Sequence, residues 1–128
     1  MLNWLLILYL INATLLIVHE IDSAYWQEWK LFRLPGGPAL FLCLHIPLVI
    51  VILLGLLYLA WGSMAGLVIS GIMGLAGVFA FIIHMTFIAR GSHEFKTASS
   101  ISILCATLAV SLAQLAMTVY AMVIGIIV

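Results

Sequence analysis

Four long apolar runs account for most of the chain. They cover residues 2–18, 39–61, 64–89 and 101–128, separated by two polar segments and by a Gly62-Ser63 turn. A helix that crosses a bilayer needs about 20 mostly apolar residues, and Pro35-Gly36-Gly37-Pro38 breaks the chain before the second run. The pattern predicts spanning helices at about 2–22, 39–61, 64–89 and 99–128, with an aromatic and charged interfacial segment at 23–34.

Composition agrees with this pattern and excludes other classes of protein. Of the 128 residues, 67% are hydrophobic and 6% are charged, whereas a soluble domain has roughly a quarter charged residues. Nucleic-acid binding needs a basic surface that this chain does not offer. The first span lacks a basic region before it and is followed by His19 and Glu20, so we do not expect a cleaved signal peptide. We predict a single all-α domain, residues 1–128: a polytopic membrane protein folded as a four-helix up-down bundle.

All charged residues lie at one end of the predicted bundle. Residues 20–33 carry five of them and residues 90–96 carry three, while the Gly62-Ser63 turn carries none. Because sequential spans alternate in direction, the two charged segments share one membrane face. Short loops with Lys and Arg face the cytoplasm, so we expect this face to be cytoplasmic and both termini to lie on the non-cytoplasmic side.

Small and polar residues recur at helical spacing in the third and fourth spans. The third span carries Ser70, Gly74, Gly77, Ala80 and His84, and the fourth carries Ser100, Thr107, Ser111, Gln114 and Thr118. Small residues allow membrane helices to approach closely. We expect both stripes to face the bundle interior, where Gln114 needs a hydrogen-bonding partner.

Three histidines fall at similar depths near the charged end. His19 closes the first apolar run, His45 lies seven residues after Pro38, and His84 lies six residues before Arg90. Ionisable residues at such depths usually mark a functional site. His19 and Asp22 share a helix face, so His19, Asp22, His45 and His84 form a candidate ligand set for zinc or iron. Glu20 and Glu94 are candidates for general acid/base catalysis beside it.

Other interpretations of these residues stay open at this stage. The histidines and carboxylates can instead pair with Lys30, Arg33, Arg90 and Lys96 at the lipid headgroups. The histidines can also ligate haem b or relay protons, although no second histidine pair is present to favour haem.

The segment from His19 to Phe32 reads HEIDSAYWQEWKLF and is followed by Leu34-Pro35-Gly36-Gly37. It resembles the motif HEIDxxYWxEWKLF of small, uncharacterised bacterial four-helix membrane proteins. It is also loosely similar to the HXXEE-motif proteins, with Asp22-Ser23 where two glutamates are expected. The resemblance implies a compact helical protein of the bacterial inner membrane and supplies no activity.

Three functional hypotheses follow. The first is a membrane-embedded metal-binding protein, or a metal-dependent enzyme that acts on a lipid or other apolar substrate at the cytoplasmic interface. The second is a non-catalytic accessory or assembly subunit of a larger membrane complex or homo-oligomer, suggested by the glycine-rich third span. The third is a small transporter or channel that uses the Gln114 stripe as a polar path.

Overall fold

The computed structural model describes residues 2–125 and confirms the all-α fold. These residues contain no strand, and four of their five helices are long and apolar enough to cross a membrane. The helices are α1 (Leu2–Tyr25), α2 (Glu28–Leu31), α3 (Gly37–Ala60), α4 (Met64–Ala89) and α5 (Ala98–Val123). The last part of the fourth predicted span, 126–128, lies outside the described residues.

The polar segment between the first two spans contains more helix than its composition suggested. α1 continues through Asp22 to Tyr25 and so takes up the start of the predicted interfacial segment. Gln27 and Arg33 then adopt left-handed backbone conformations, with φ of 55° and 54°. The single turn of α2 lies between these two residues. The chain changes direction at these residues, and α2 packs against α1 and α3.

The four long helices do not pack equally. α5 packs against α1 and α4, whereas α3 packs against α4 and more lightly against α1. Across residues 2–125, α3 and α5 do not contact each other. Most side chains of α3 are exposed, and its buried residues are Phe41, Ile52, Gly55 and Leu59. A helix with so much exposed apolar surface is suited to lipid contact on its outer face.

Three glycines of α4 allow its neighbours to approach closely. A Cβ at Gly66 would overlap the α3 backbone at Leu59, and one at Gly77 would overlap Ser111 of α5. A Cβ at Gly74 would lie 2.6 Å from Leu115 Cγ. Gly74 and Gly77 of the small-residue stripe therefore lie against α5, and Gly66 lies against α3. Contacts within the chain thus account for three of the glycines of the third span, Gly66, Gly74 and Gly77.

A hydrogen-bonded polar network joins three helices in the bundle interior. Asn12 Nδ2 donates to Gln114 Oε1 at 2.8 Å, and Gln114 Nε2 donates to the Ser70 carbonyl and hydroxyl oxygens at 3.0 Å. Ser111 Oγ donates to Asn12 Oδ1, and the Ser70 and Thr118 hydroxyls bond each other. All five side chains are buried. Because lipid offers no hydrogen-bonding partners, the network favours one register of α1, α4 and α5.

Candidate functional site

Three histidines from three helices line one cavity near the charged end of the bundle, the end that carries segments 20–33 and 90–96. They are His19 on α1, His45 on α3 and His84 on α4. Glu20 and Glu28 line the same cavity. We call these five residues the polar cluster. The similar depth of the histidines in the sequence therefore corresponds to a shared location in the fold.

His45 bridges α3 and α1. Its ring nitrogen Nδ1 donates to the Phe41 carbonyl oxygen at 2.6 Å, and its Nε2 lies 2.6 Å from Glu20 Oε2. Both side chains are partly exposed. The sequence made Glu20 a candidate for general acid/base catalysis beside the predicted ligand set. In the structure, Glu20 reaches across to a histidine of another helix.

His84 forms the second imidazole–carboxylate pair. Its Nδ1 donates to the Ala80 carbonyl oxygen at 2.7 Å, and its Nε2 lies 3.2 Å from Glu28 Oε1. Burial by itself raises the pKa of the Glu28 carboxyl, but the neighbouring His84 ring and Ser23 hydroxyl lower it by more. The net pKa of Glu28 is below its ordinary value, which favours a carboxylate at this position.

The hydrogen-bond donors and acceptors of the two imidazole–carboxylate pairs indicate how they can transfer protons. A carbonyl oxygen only accepts, so Nδ1 of His45 and of His84 each carries a hydrogen. In a neutral ring, Nε2 is then an acceptor that faces a carboxylate oxygen, which is also an acceptor. At 2.6 Å, His45 and Glu20 need a proton between them. An imidazole–carboxylate pair that shares a proton is a competent proton donor or acceptor toward a bound molecule.

Phe95 closes the cluster on the side of the 90–97 loop. Its ring centroid lies 4.3 Å from that of His84 and 6.0 Å from that of His19, and the two imidazoles lie 4.6 Å apart, edge to face. Phe95 is 1% exposed and adopts φ of 60°. A left-handed backbone costs a bulky residue roughly 1–2 kcal/mol, which burial of the ring offsets.

Some polar atoms near the cluster have no hydrogen-bonding partner among residues 2–125. They include His19 Nδ1 and Asp22 Oδ2, both buried, and His84 Nε2, whose contact with Glu28 lacks hydrogen-bond alignment. His19 and His84 are each only 2% exposed. A buried polar atom without a partner is costly. These atoms therefore provide unused capacity to bind a proton donor, a cation or water.

The predicted four-ligand metal site is not assembled in the described residues. No three His, Cys, Asp or Glu side chains there are placed to hold one ion. His45 uses both ring nitrogens, one on Phe41 and one on Glu20. Asp22 does not line the cavity, and neither does Glu94, which lies in the loop before α5. The histidines are instead matched with Glu20 and Glu28.

Sequence reasoning missed Glu28 and Phe95 as members of the site. Glu28 was assigned to the interfacial segment as one charge among several. Its position among Trp26, Trp29 and Phe32 indicates burial. The left-handed turn that directs it inward falls at Gln27, and without a glycine at that position the sequence does not predict the turn. Phe95 is the single aromatic residue of a polar loop, which is the kind of isolated apolar residue that packs inward.

The cavity has a volume of about 360 Å³ and lies between α1, α3 and α4. Apart from the polar cluster, aliphatic and aromatic side chains line it, including Leu48, Ile52, Ile69, Met73 and Phe79. Its α4 lining runs from Ile69 to His84, a length of about 22 Å at 1.5 Å per residue. The cavity is thus a long apolar space with its polar groups gathered at one end.

The neighbouring basic residues do not enter this site. Lys30, Arg33, Arg90 and Lys96 are all exposed, and none of them lines the cavity. Within residues 2–125, the ion pairs are those between histidine and glutamate, and no Lys or Arg takes part in one. Headgroup pairing of the cluster with these four basic side chains is therefore not what the structure shows.

Four long apolar helices with exposed apolar faces define the class of this molecule, an integral multi-pass membrane protein. The chain belongs to DUF6713, a family of unknown function whose pattern matches residues 5–121. The match spans the whole polar cluster and all the cavity-lining residues. No curated protein and no solved structure matches the chain.

Proposed function

We propose that this protein binds a single-chain, lipid-like amphiphile in the cavity between α1, α3 and α4. The observation that carries the proposal is the separation of polarity within one cavity: a long apolar lining with the polar cluster at its end. An amphiphile has the same division along its length. Its chain would lie along α3 and α4, and its head group would meet the histidines and glutamates.

The dimensions of the cavity support an occupant of this kind. Its volume of about 360 Å³ falls within the roughly 300–1,000 Å³ of typical small-molecule sites. Trp29, Phe32 and Phe41 lie at the polar end of the lining. Aromatic residues are favoured where an apolar environment meets a polar one.

The two candidate acid/base residues, Glu20 and Glu94, differ in their position relative to the cavity. Glu20 lines the cavity and shares a proton with His45, so it is the residue from which proton transfer to a bound molecule would proceed. Glu94 does not line the cavity and has no part in the proposal. Binding of the amphiphile does not require a catalytic step.

Blocking the cavity tests this proposal. We expect Ala76→Trp, in the lining of α4, to lower the affinity for a dodecyl-chain amphiphile at least tenfold. Ala109→Trp is the matched control, because Ala109 is an exposed alanine of α5 outside the cavity. Binding is measured by native mass spectrometry of protein in phosphatidylcholine nanodiscs. Equal binding by both variants, or no binding by wild-type protein, would refute the proposal.

Metal binding at His19, Asp22 and His84 is a second candidate function. The observation that favours it is that each of these residues keeps a buried polar atom without a hydrogen-bonding partner. Their side chains would have to turn toward one point before zinc or iron could bind. Elemental analysis of purified wild-type protein against His84→Ala tests it, and no stoichiometric metal in either sample rules it out.

A further inference from the structure

We propose that the head group of the bound amphiphile is a protonated amine, and this inference rests on the function proposed above. Two of the five polar side chains that line the cavity are glutamates, three are histidines, and none is a Lys or Arg. Anionic head groups are normally held by Arg or Lys, so a phosphate or carboxylate would meet two glutamates here without a Lys or Arg to hold it.

The carboxylates have acceptor capacity left for a donor. Glu20 uses Oε2 for His45, and its Oε1 has no hydrogen-bonding partner in the described part of the chain. An ammonium group carries up to three N–H donors and no acceptor. It therefore matches a site whose vacant positions are carboxylate oxygens.

His19 supplies a further position for such a donor. Its ring lines the cavity, it is 2% exposed, and its Nδ1 has no partner among residues 2–125. An amine N–H bonded to this nitrogen would remove the cost of an unpartnered polar atom in an apolar setting. The inference requires the tautomer in which Nδ1 of His19 carries no hydrogen and accepts a hydrogen bond. A head group without an N–H or O–H donor would then leave Nδ1 without a partner.

The aromatic residues at the polar end of the cavity also favour a cationic head group. The ring centroids of Trp29 and Phe41 lie 5.2 Å apart, and those of Phe41 and His45 lie 3.9 Å apart. Trp29 and Phe41 both line the cavity. Aromatic faces attract cations and repel anions. Carboxylates, an unpartnered imidazole nitrogen and aromatic rings thus converge on one chemistry, a cationic nitrogen.

A panel of dodecyl amphiphiles that differ only in head group tests the inference. Dodecylamine, dodecanol, dodecanoate and dodecyl phosphate are each titrated against wild-type protein in phosphatidylcholine nanodiscs. We expect dodecylamine to bind at least tenfold more tightly than either anion. Glu20→Gln and Glu28→Gln should each reduce this preference, whereas Glu94→Gln, outside the cavity, should leave it unchanged.

The outcomes separate the two proposals. If the anions bind as tightly as the amine to wild-type protein and Ala76→Trp abolishes both, the amine inference is wrong and the proposed function stands. If no member of the panel binds, the proposed function itself fails. The comparison within wild-type protein does not depend on whether a glutamine variant folds.

Discussion

Gln114 shows how a single polar residue can define the packing of membrane helices. Its side chain accepts a hydrogen bond from Asn12 of α1 and donates to Ser70 of α4. It is fully buried, and its amide forms hydrogen bonds with residues of two neighbouring helices. The sequence predicted that Gln114 needs a partner, and the structure provides partners on two helices. The polar stripe that suggested a transporter therefore also has a structural role.

Replacing this amide should destabilise the fold. We expect Gln114→Leu to lower the free energy of unfolding by about 1 to 2 kcal/mol, because Asn12 loses its acceptor in an apolar interior. Thermal unfolding in detergent measures the change, with Leu112→Ala as a control at an exposed position of α5. An unchanged melting temperature would show that the network contributes no stability. The transporter hypothesis requires a different result, loss of flux in proteoliposomes.

At the scale of elements, the separation of α3 from α4 decides where the cavity lies. The two helices approach closely beside their Gly62-Ser63 turn, where Gly66 lies against the backbone of Leu59. Toward the charged end the cavity lies between them. The α3–α4 hairpin thus has a tight helix contact at one end and the apolar cavity at the other.

Gly66 and Gly71 offer a matched test of that close approach. A Cβ at Gly66 would overlap main-chain atoms, which cannot move aside, whereas the nearest atom to a Cβ at Gly71 is 3.9 Å away. We expect Gly66→Ala to destabilise the protein by about 1 to 3 kcal/mol, and Gly71→Ala to leave stability unchanged or slightly raised. Thermal unfolding in detergent distinguishes them. Equal melting temperatures would contradict the observed helix contact.

At the scale of the whole molecule, charge is segregated along the bundle axis. The ends of α1 and α4 and the starts of α3 and α5 meet at the charged end. The opposite end carries the Gly62-Ser63 turn and no charged side chain. By the positive-inside rule, such an asymmetry predicts that the charged end, and with it the polar cluster, faces the cytoplasm.

Cysteine labelling tests this orientation. With Cys43 and Cys105 replaced by Ala, we expect Ser63→Cys to react with a membrane-impermeant maleimide in intact cells. Ser92→Cys should react only after the membrane is made permeable, because its loop lies at the basic end. Both residues lie in short connections between long helices, so their intrinsic accessibility is comparable. The reverse pattern would invert the predicted topology.

The sequence alone determined the number of spans, their approximate bounds and the charged end. These are local properties: a bilayer needs about 20 apolar residues per helix, and charges are excluded from its core. The depth of each histidine followed from counting residues along a helix. Helical spacing also identified Ser70, Gly74, Gly77 and Gln114 as interior positions, and all four are buried. Ala80, on the same predicted stripe, is half-buried.

Only the tertiary structure decided which groups meet. The spacing of His19 and Asp22 suggested a shared ligand, yet the histidines of α3 and α4 are paired with Glu20 and Glu28. The Glu28 pair depends on the left-handed turn at Gln27, and both pairs depend on the distance between helices that are remote in sequence. The cavity has the same origin, since an apolar space arises from how far α3 stands from α1 and α4, and no local pattern encodes that distance.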